Sequence, residues 1–173
     1  MSARPLVSGL LFIAGFSMAS RSLQPLVGAN KEEYDESVMR EQGLLDSGRR
    51  RVMEVVALVL VAIVALEHVY ILVMEMFLWT TPRVRRTFGT SEAFAEQTKS
   101  LAANQGLYNG FLAAGLIWGL LHPDASTGHQ IQLFFLICVV VAALYGGLTA
   151  KKSILASQGL PAAVALVVSV IAW

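Results

Sequence analysis

The stretch from Val52 to Trp79, VMEVVALVLVAIVALEHVYILVMEMFLW, is an apolar run long enough to cross a bilayer, and its second half carries Glu67, His68 and Glu75. No other feature limits the chain so strongly. A bilayer's hydrocarbon core, about 30 Å thick, takes roughly 20 helical residues to cross, and an ionised carboxylate stranded in it costs several kcal/mol. Such groups therefore face a bundle interior or a wet cavity, and each marks a functional-site hypothesis. At about 100° per residue, His68, Leu72, Glu75 and Trp79 share one stripe, with Glu67 about 100° from His68. One face of this helix is polar at depth.

The rest of the chain repeats apolar blocks of similar length. Of its 173 residues 55% are hydrophobic and 14% charged, with a mean hydropathy of +0.62, where a soluble domain carries about 25% charge. Only helices and closed barrels satisfy their backbone in lipid, and these unbroken runs lack a barrel's alternation. The expected fold is an all-α integral membrane protein: a four-helix transmembrane bundle, residues 52–173, with an N-terminal hydrophobic segment before it. The spans fall at about 52–79, 101–121, 131–150 and 153–173. A net charge of +1 without a basic, aromatic-interleaved patch gives no footing for nucleic acid. The single cysteine, Cys138, has no partner for an internal disulfide or ligand set and reads as a small hydrophobe in a helix.

Residues 1–20 have the outline of an export signal, with Arg4, an apolar LVSGLLFIAGFSM, and Ser17 and Ala19 spaced as a cleavage site prefers. A cleaved signal, an uncleaved anchor and an upstream extension are the three readings. Residues 21–51 form a polar linker or short surface helix of mixed charge that ends on Arg49, Arg50 and Arg51 at headgroup level. After the first span, TTPRVRRTFGTSEAFAEQTKS reads as a loop containing a short interfacial helix that starts at Ser91, a good N-cap followed by Glu92. The positive-inside rule places this loop, with Arg83, Arg85, Arg86 and Lys99, and the Lys151/Lys152 turn in the cytoplasm, and the HPDASTGHQ turn outside. Arg49 to Arg51 then lie on the outer face, against the rule.

The second span repeats the oddity of the first. With Asn104 at zero, Tyr108 falls near 40°, Gln105 near 100° and Asn109 near 140°, a polar arc expected to meet the Glu67/His68/Glu75 face because hydrocarbon offers no partners. Gly106/Gly110 and Gly115/Gly119 permit close helix approach. Tyr145, among Ala142, Ala143, Gly146 and Gly147, is an outer candidate for the same centre. Trp79, Trp118 and Trp173, near span ends, fit an interfacial belt. No Glu-x-x-His or His-x-x-x-His spacing is present, so no metal site is expected, and no cofactor is indicated.

Four segments together carry a resemblance: EHVYILVMEMFLWTTPRVRRTFG, LAANQGLYNGFLAAGLIWGLL, FFLICVVVAALYGGLTAKK and QGLPAAVALV. In this order, over about residues 50–173, the chain resembles a bacterial family of small membrane proteins catalogued as domain of unknown function 1304. The resemblance implies a four-helix integral membrane domain in a bacterial cell membrane and brings no activity.

The reading that follows is a multi-pass protein with an intramembrane pocket built by Glu67, His68, Glu75, Asn104, Gln105, Tyr108, Asn109 and Tyr145. Its partners are the bilayer and a small amphipathic or lipid-like molecule, and a homo-oligomer is compatible with it. Two alternatives stand beside it. One is a membrane enzyme doing acid/base chemistry on a lipid or quinone, with Glu67 or Glu75 as acid/base and His68 as partner. The other is a structural or accessory subunit whose polar faces only hold helices together.

Overall fold

The structure, a computed structural model, describes residues 31–173; the N-terminal hydrophobic segment and the first part of the polar stretch lie outside the described residues. Among those described, every regular element is a helix. They are α1 (Lys31–Phe77), α2 (Pro82–Phe88), α3 (Glu92–Leu121), α4 (Ala125–Thr149) and α5 (Leu160–Ala172), the last preceded by a π-helical turn, Leu155–Gly159. The chain falls into two units, Met1–Gly48 and Arg49–Trp173.

In the first unit the described residues are helical from Lys31, with Glu32 and Glu33 in the first turn, where acid complements the helix dipole. The sequence reading stopped at a linker or short surface helix because mixed charge gives no hydrophobic face. These residues are indeed almost all exposed, but they belong to the same helix as the apolar run.

The second unit is a packed bundle. Its core joins Val61, Val64 and Ala65 of α1, Leu116 of α3, Leu136 and Val139 of α4, and Ala162 and Ala165 of α5. Small residues let the helices come this close. A Cβ on Gly106 would lie 3.1 Å from the Met76 nitrogen and 3.2 Å from the Leu72 carbonyl oxygen, so α3 crosses α1 almost backbone to backbone there. At the other end, a Cβ on Gly119 would stand 2.9 Å from the Gly128 carbonyl oxygen of α4, and the ring of Phe135 fills the space over Gly115. Both glycine pairs therefore act as approach points, each toward a different neighbour.

Three helical stretches are long and apolar enough to cross a membrane: α1, α4 and Leu155–Ala172. The 30-residue α3 has the length but not the hydropathy, since Asn104, Gln105, Asn109 and four glycines dilute its apolar part. Ser91 caps α3 as expected, its side chain accepting from the Phe94 N–H at 3.2 Å. The helix it starts is not a short interfacial one, however, but runs unbroken to Leu121, while the short helix is α2, begun by Pro82. Proline fits a first turn, where its missing N–H would have no partner.

Asp124 caps α4, accepting from the Thr127 N–H at 2.7 Å, and its bonds to Thr127 hold the carboxyl below the usual carboxylate range. Before α5 the chain widens to an i−5 bond, from the Leu160 N–H to the Leu155 carbonyl. Pro161 explains the widening: without an N–H it cannot take its place in the i−4 ladder.

Candidate functional site

Glu75 lies seven positions after His68, about 10 Å along the α1 axis, and the two are held differently. His68 is 1% exposed, and its Nδ1 lies 2.9 Å from the Val64 carbonyl one turn back. A carbonyl only accepts, so Nδ1 carries the proton and donates. This histidine is therefore satisfied within its own helix.

Glu75 reaches across to α3. Its Oε2 accepts from Asn109 Nδ2 at 2.8 Å, beside the Gly106 crossing. The same Asn109 nitrogen donates to the Gln105 carbonyl at 3.2 Å, which fixes the amide in its helix. Asn109 is buried and Glu75 half-buried. The second carboxylate oxygen of Glu75 has no hydrogen-bond partner among the described residues. A carboxylate with one oxygen engaged and the other unclaimed can accept from a further donor or pair with a cation.

Of the eight residues expected to converge, Glu75 and Asn109 are the pair that bond across helices. Glu67 is half-buried and makes no hydrogen bond among the described residues. Asn104 and Gln105 are exposed, and Tyr108, 54% exposed, sets its ring edge against Phe111 at 6.0 Å. Tyr145, expected to approach the same centre, is 71% exposed and turned outward. Helical geometry explains both tyrosines. The buried positions of α4 include Ala143 and Gly147, each two residues from Tyr145 and so about 200° around the helix. Gly106 stands in the same relation to Tyr108 and Asn104. The polar arc of α3 thus meets α1 only along its Asn109 edge.

Several polar contacts have no counterpart in the sequence reading. Gln132, buried in α4, donates through Nε2 to the Gly119 carbonyl at 3.0 Å and so ties α4 to α3 at their closest approach. His129 Nε2 lies 3.1 Å from the Ser169 carbonyl of α5, with its ring stacked on Trp173 at 4.3 Å. Trp79 donates to Thr98 Oγ1 at 3.1 Å, joining the end of α1 to α3. Gln132 lies one helical turn after Gly128 on the same face of α4, and that spacing is the signal that could have singled it out from Gln130. Among the described residues no three of His, Cys, Asp and Glu stand together as a metal-holding group.

Comparison with known proteins places these residues in a family context. Residues 62–170 match the family model described as "Protein of unknown function (DUF1304)". The chain is also 35% identical over 119 residues to the uncharacterized protein YpaA of Lactococcus lactis subsp. lactis (strain IL1403), covering 68% of this chain and 98% of that protein. No solved structure matches.

Proposed function

The chain belongs to the DUF1304 family, whose members bring no activity with them, and we propose from its own geometry that it is a four-span protein of the bacterial cell membrane that holds the polar head of a small amphipathic or lipid-like molecule at Glu75. The membrane placement is supported by three apolar helices of spanning length and by exposed aliphatic side chains such as Val59, Ile63, Ile137, Val141, Val167 and Val170. Aliphatic surface this continuous belongs against lipid. The fourth span is α3, because it packs antiparallel on α4 through a link of three residues and shares the bundle core.

One observation carries the ligand reading: a half-buried carboxylate within a span whose only hydrogen bond among the described residues comes from Asn109. Its free oxygen suits an ammonium, hydroxyl or amide head, while the aliphatic flank accommodates the tail. Acid/base chemistry has less support. His68, the partner the sequence offered, lies two turns away with Nδ1 already bound to Val64.

A second reading is favoured by the position of the pair. The Glu75–Asn109 bond sits at the Gly106 crossing, where it would lock α1 to α3 whether or not anything binds. Mass spectrometry of the small molecules that copurify with the detergent-solubilised protein separates the two. Ligand binding requires an amphipath enriched over bulk membrane lipid in the wild type and reduced about tenfold or more in Glu75→Leu, the loss of a charge-assisted contact. Identical profiles for both proteins would leave the lock.

A further inference from the structure

The segment after α1 is folded around a cleft. Val84 packs beneath Ile71 and Met74, and Trp79 meets Phe88 edge-on at 4.9 Å, which pins α2 against the end of the first span. Gly89, at φ 72°, then ends α2 in the left-handed conformation that favours glycine, and the Thr90 N–H turns back to the Arg85 carbonyl at 2.9 Å. These contacts leave an open cleft of about 600 Å³ lined by Pro82, Arg85, Arg86, Gly89 and Thr90.

Two side-chain atoms of the lining residues are buried without a hydrogen-bond partner. Between Pro82 and Thr90 the sequence has three arginines and no acid. Arg85 pairs with Glu92 at 3.1 Å through one terminal nitrogen, yet its Nε is buried without a partner. Thr90 Oγ1, across the same turn, is likewise buried and unpartnered. Arg86 gives its Nε to the Pro82 carbonyl at 3.2 Å and is otherwise exposed. Buried donors without acceptors are uncommon and call for a specific explanation.

We propose that this cleft binds a phosphoryl group, carried either by a lipid headgroup or by a soluble phosphate monoester. Glu92 holds one terminal nitrogen of Arg85 and leaves Arg85 Nε and Thr90 Oγ1 without an acceptor, which a group bearing several oxygens would supply. A phosphate offers these, and arginine's planar fork recognises it through paired hydrogen bonds. The Thr90 hydroxyl adds a further donor. The cleft also follows directly on Trp79 at the end of a span, the depth at which lipid phosphates lie.

The test uses the full chain in maltoside detergent, which carries no phosphate, with phosphatidate added in one arm and with inorganic phosphate titrated in the other. Retained phosphatidate is read by native mass spectrometry and phosphate by calorimetry. Saturable binding in the first arm alone assigns the headgroup, and in the second the soluble anion; either supports the site. Arg86→Gln, at an exposed position that leaves the fold intact, should weaken binding about tenfold, as loss of a charge-assisted pair does, and Thr90→Val should weaken it less. Glu92→Gln, which frees the Arg85 guanidinium, should tighten it. Absence of binding in both arms overturns the proposal. So does a loss in Arg86→Gln no larger than that in Lys151→Gln/Lys152→Gln, which removes surface charge elsewhere.

Discussion

Asn109 directs one amide nitrogen at two acceptors, Glu75 Oε2 across the helix contact and the Gln105 carbonyl behind it. Such bonds are worth less in membranes than the dryness of the site suggests, about 0.6 kcal/mol on average and up to about 1.7, because the unfolded helices also find partners. A double-mutant cycle of Glu75→Leu and Asn109→Leu, followed by unfolding in mixed micelles, should therefore give a coupling of about 1 kcal/mol. Single changes that add to within about 0.3 kcal/mol would mean the two side chains do not meet. The polar arc on α3 was legible from residue spacing alone, but its angular order does not say which edge turns inward. Ala95, Ala102, Gly106 and Ala113, all buried, run along the centre of the packed face, and only Asn109 flanks that line. Small residues, not polar ones, mark the contact face, so Asn104 and Tyr108 point away from it.

At the scale of elements, the helices are positioned by the places where a side chain is missing. Gly119 and Gly128 approach so closely that a Cβ on either would meet the other's carbonyl oxygen, at 2.9 and 2.6 Å, and Gln132 closes the same contact with its bond to Gly119. Overpacking a tight contact typically costs about 1–3 kcal/mol, and backbone atoms cannot rotate aside as a flexible side chain can. Gly119→Val should therefore lower the melting temperature in detergent markedly. Gly43→Ala, with nothing within 4 Å, should leave it unchanged or raise it slightly. Equal responses at the two positions would show that α3 and α4 do not cross at Gly119. The sequence made the spacing of these glycines visible, and it named Ser91 as a cap. It could not show that the helix begun there continues through Ala102 to Leu121, because the polar first turns and the apolar remainder look like separate segments when hydropathy alone divides them.

For the whole molecule, the decisive question is whether α3 crosses the bilayer with its neighbours. At 1.5 Å per residue, the 25 residues of α4 reach about 37 Å, more than the hydrocarbon thickness of about 30 Å. Three residues join α3 to α4, too few to let α3 run anywhere but back alongside, and the apolar part of α3, residues 101–121, reaches about 31 Å. Hydropathy counts α3 as too polar to cross, while packing gives Asn109 and the glycines a helix to face, and Leu116 and Ala113, almost fully buried, argue for packing as the stronger constraint. Cysteines placed singly at Thr87, Ser126 and Lys152, all exposed, in a Cys138→Ala background report the outcome through a maleimide that cannot cross membranes. With four spans, Thr87→Cys and Lys152→Cys react from one side and Ser126→Cys from the other. On the positive-inside rule the arginines around Thr87 and the Lys151/Lys152 pair are expected in the cytoplasm, and intact spheroplasts should then label Ser126→Cys alone. Labelling of Thr87→Cys and Ser126→Cys from the same side would mean that α3 lies along the membrane surface. The Glu75–Asn109 pair would then sit at the bilayer edge, without the depth that gives its unclaimed oxygen a ligand to seek.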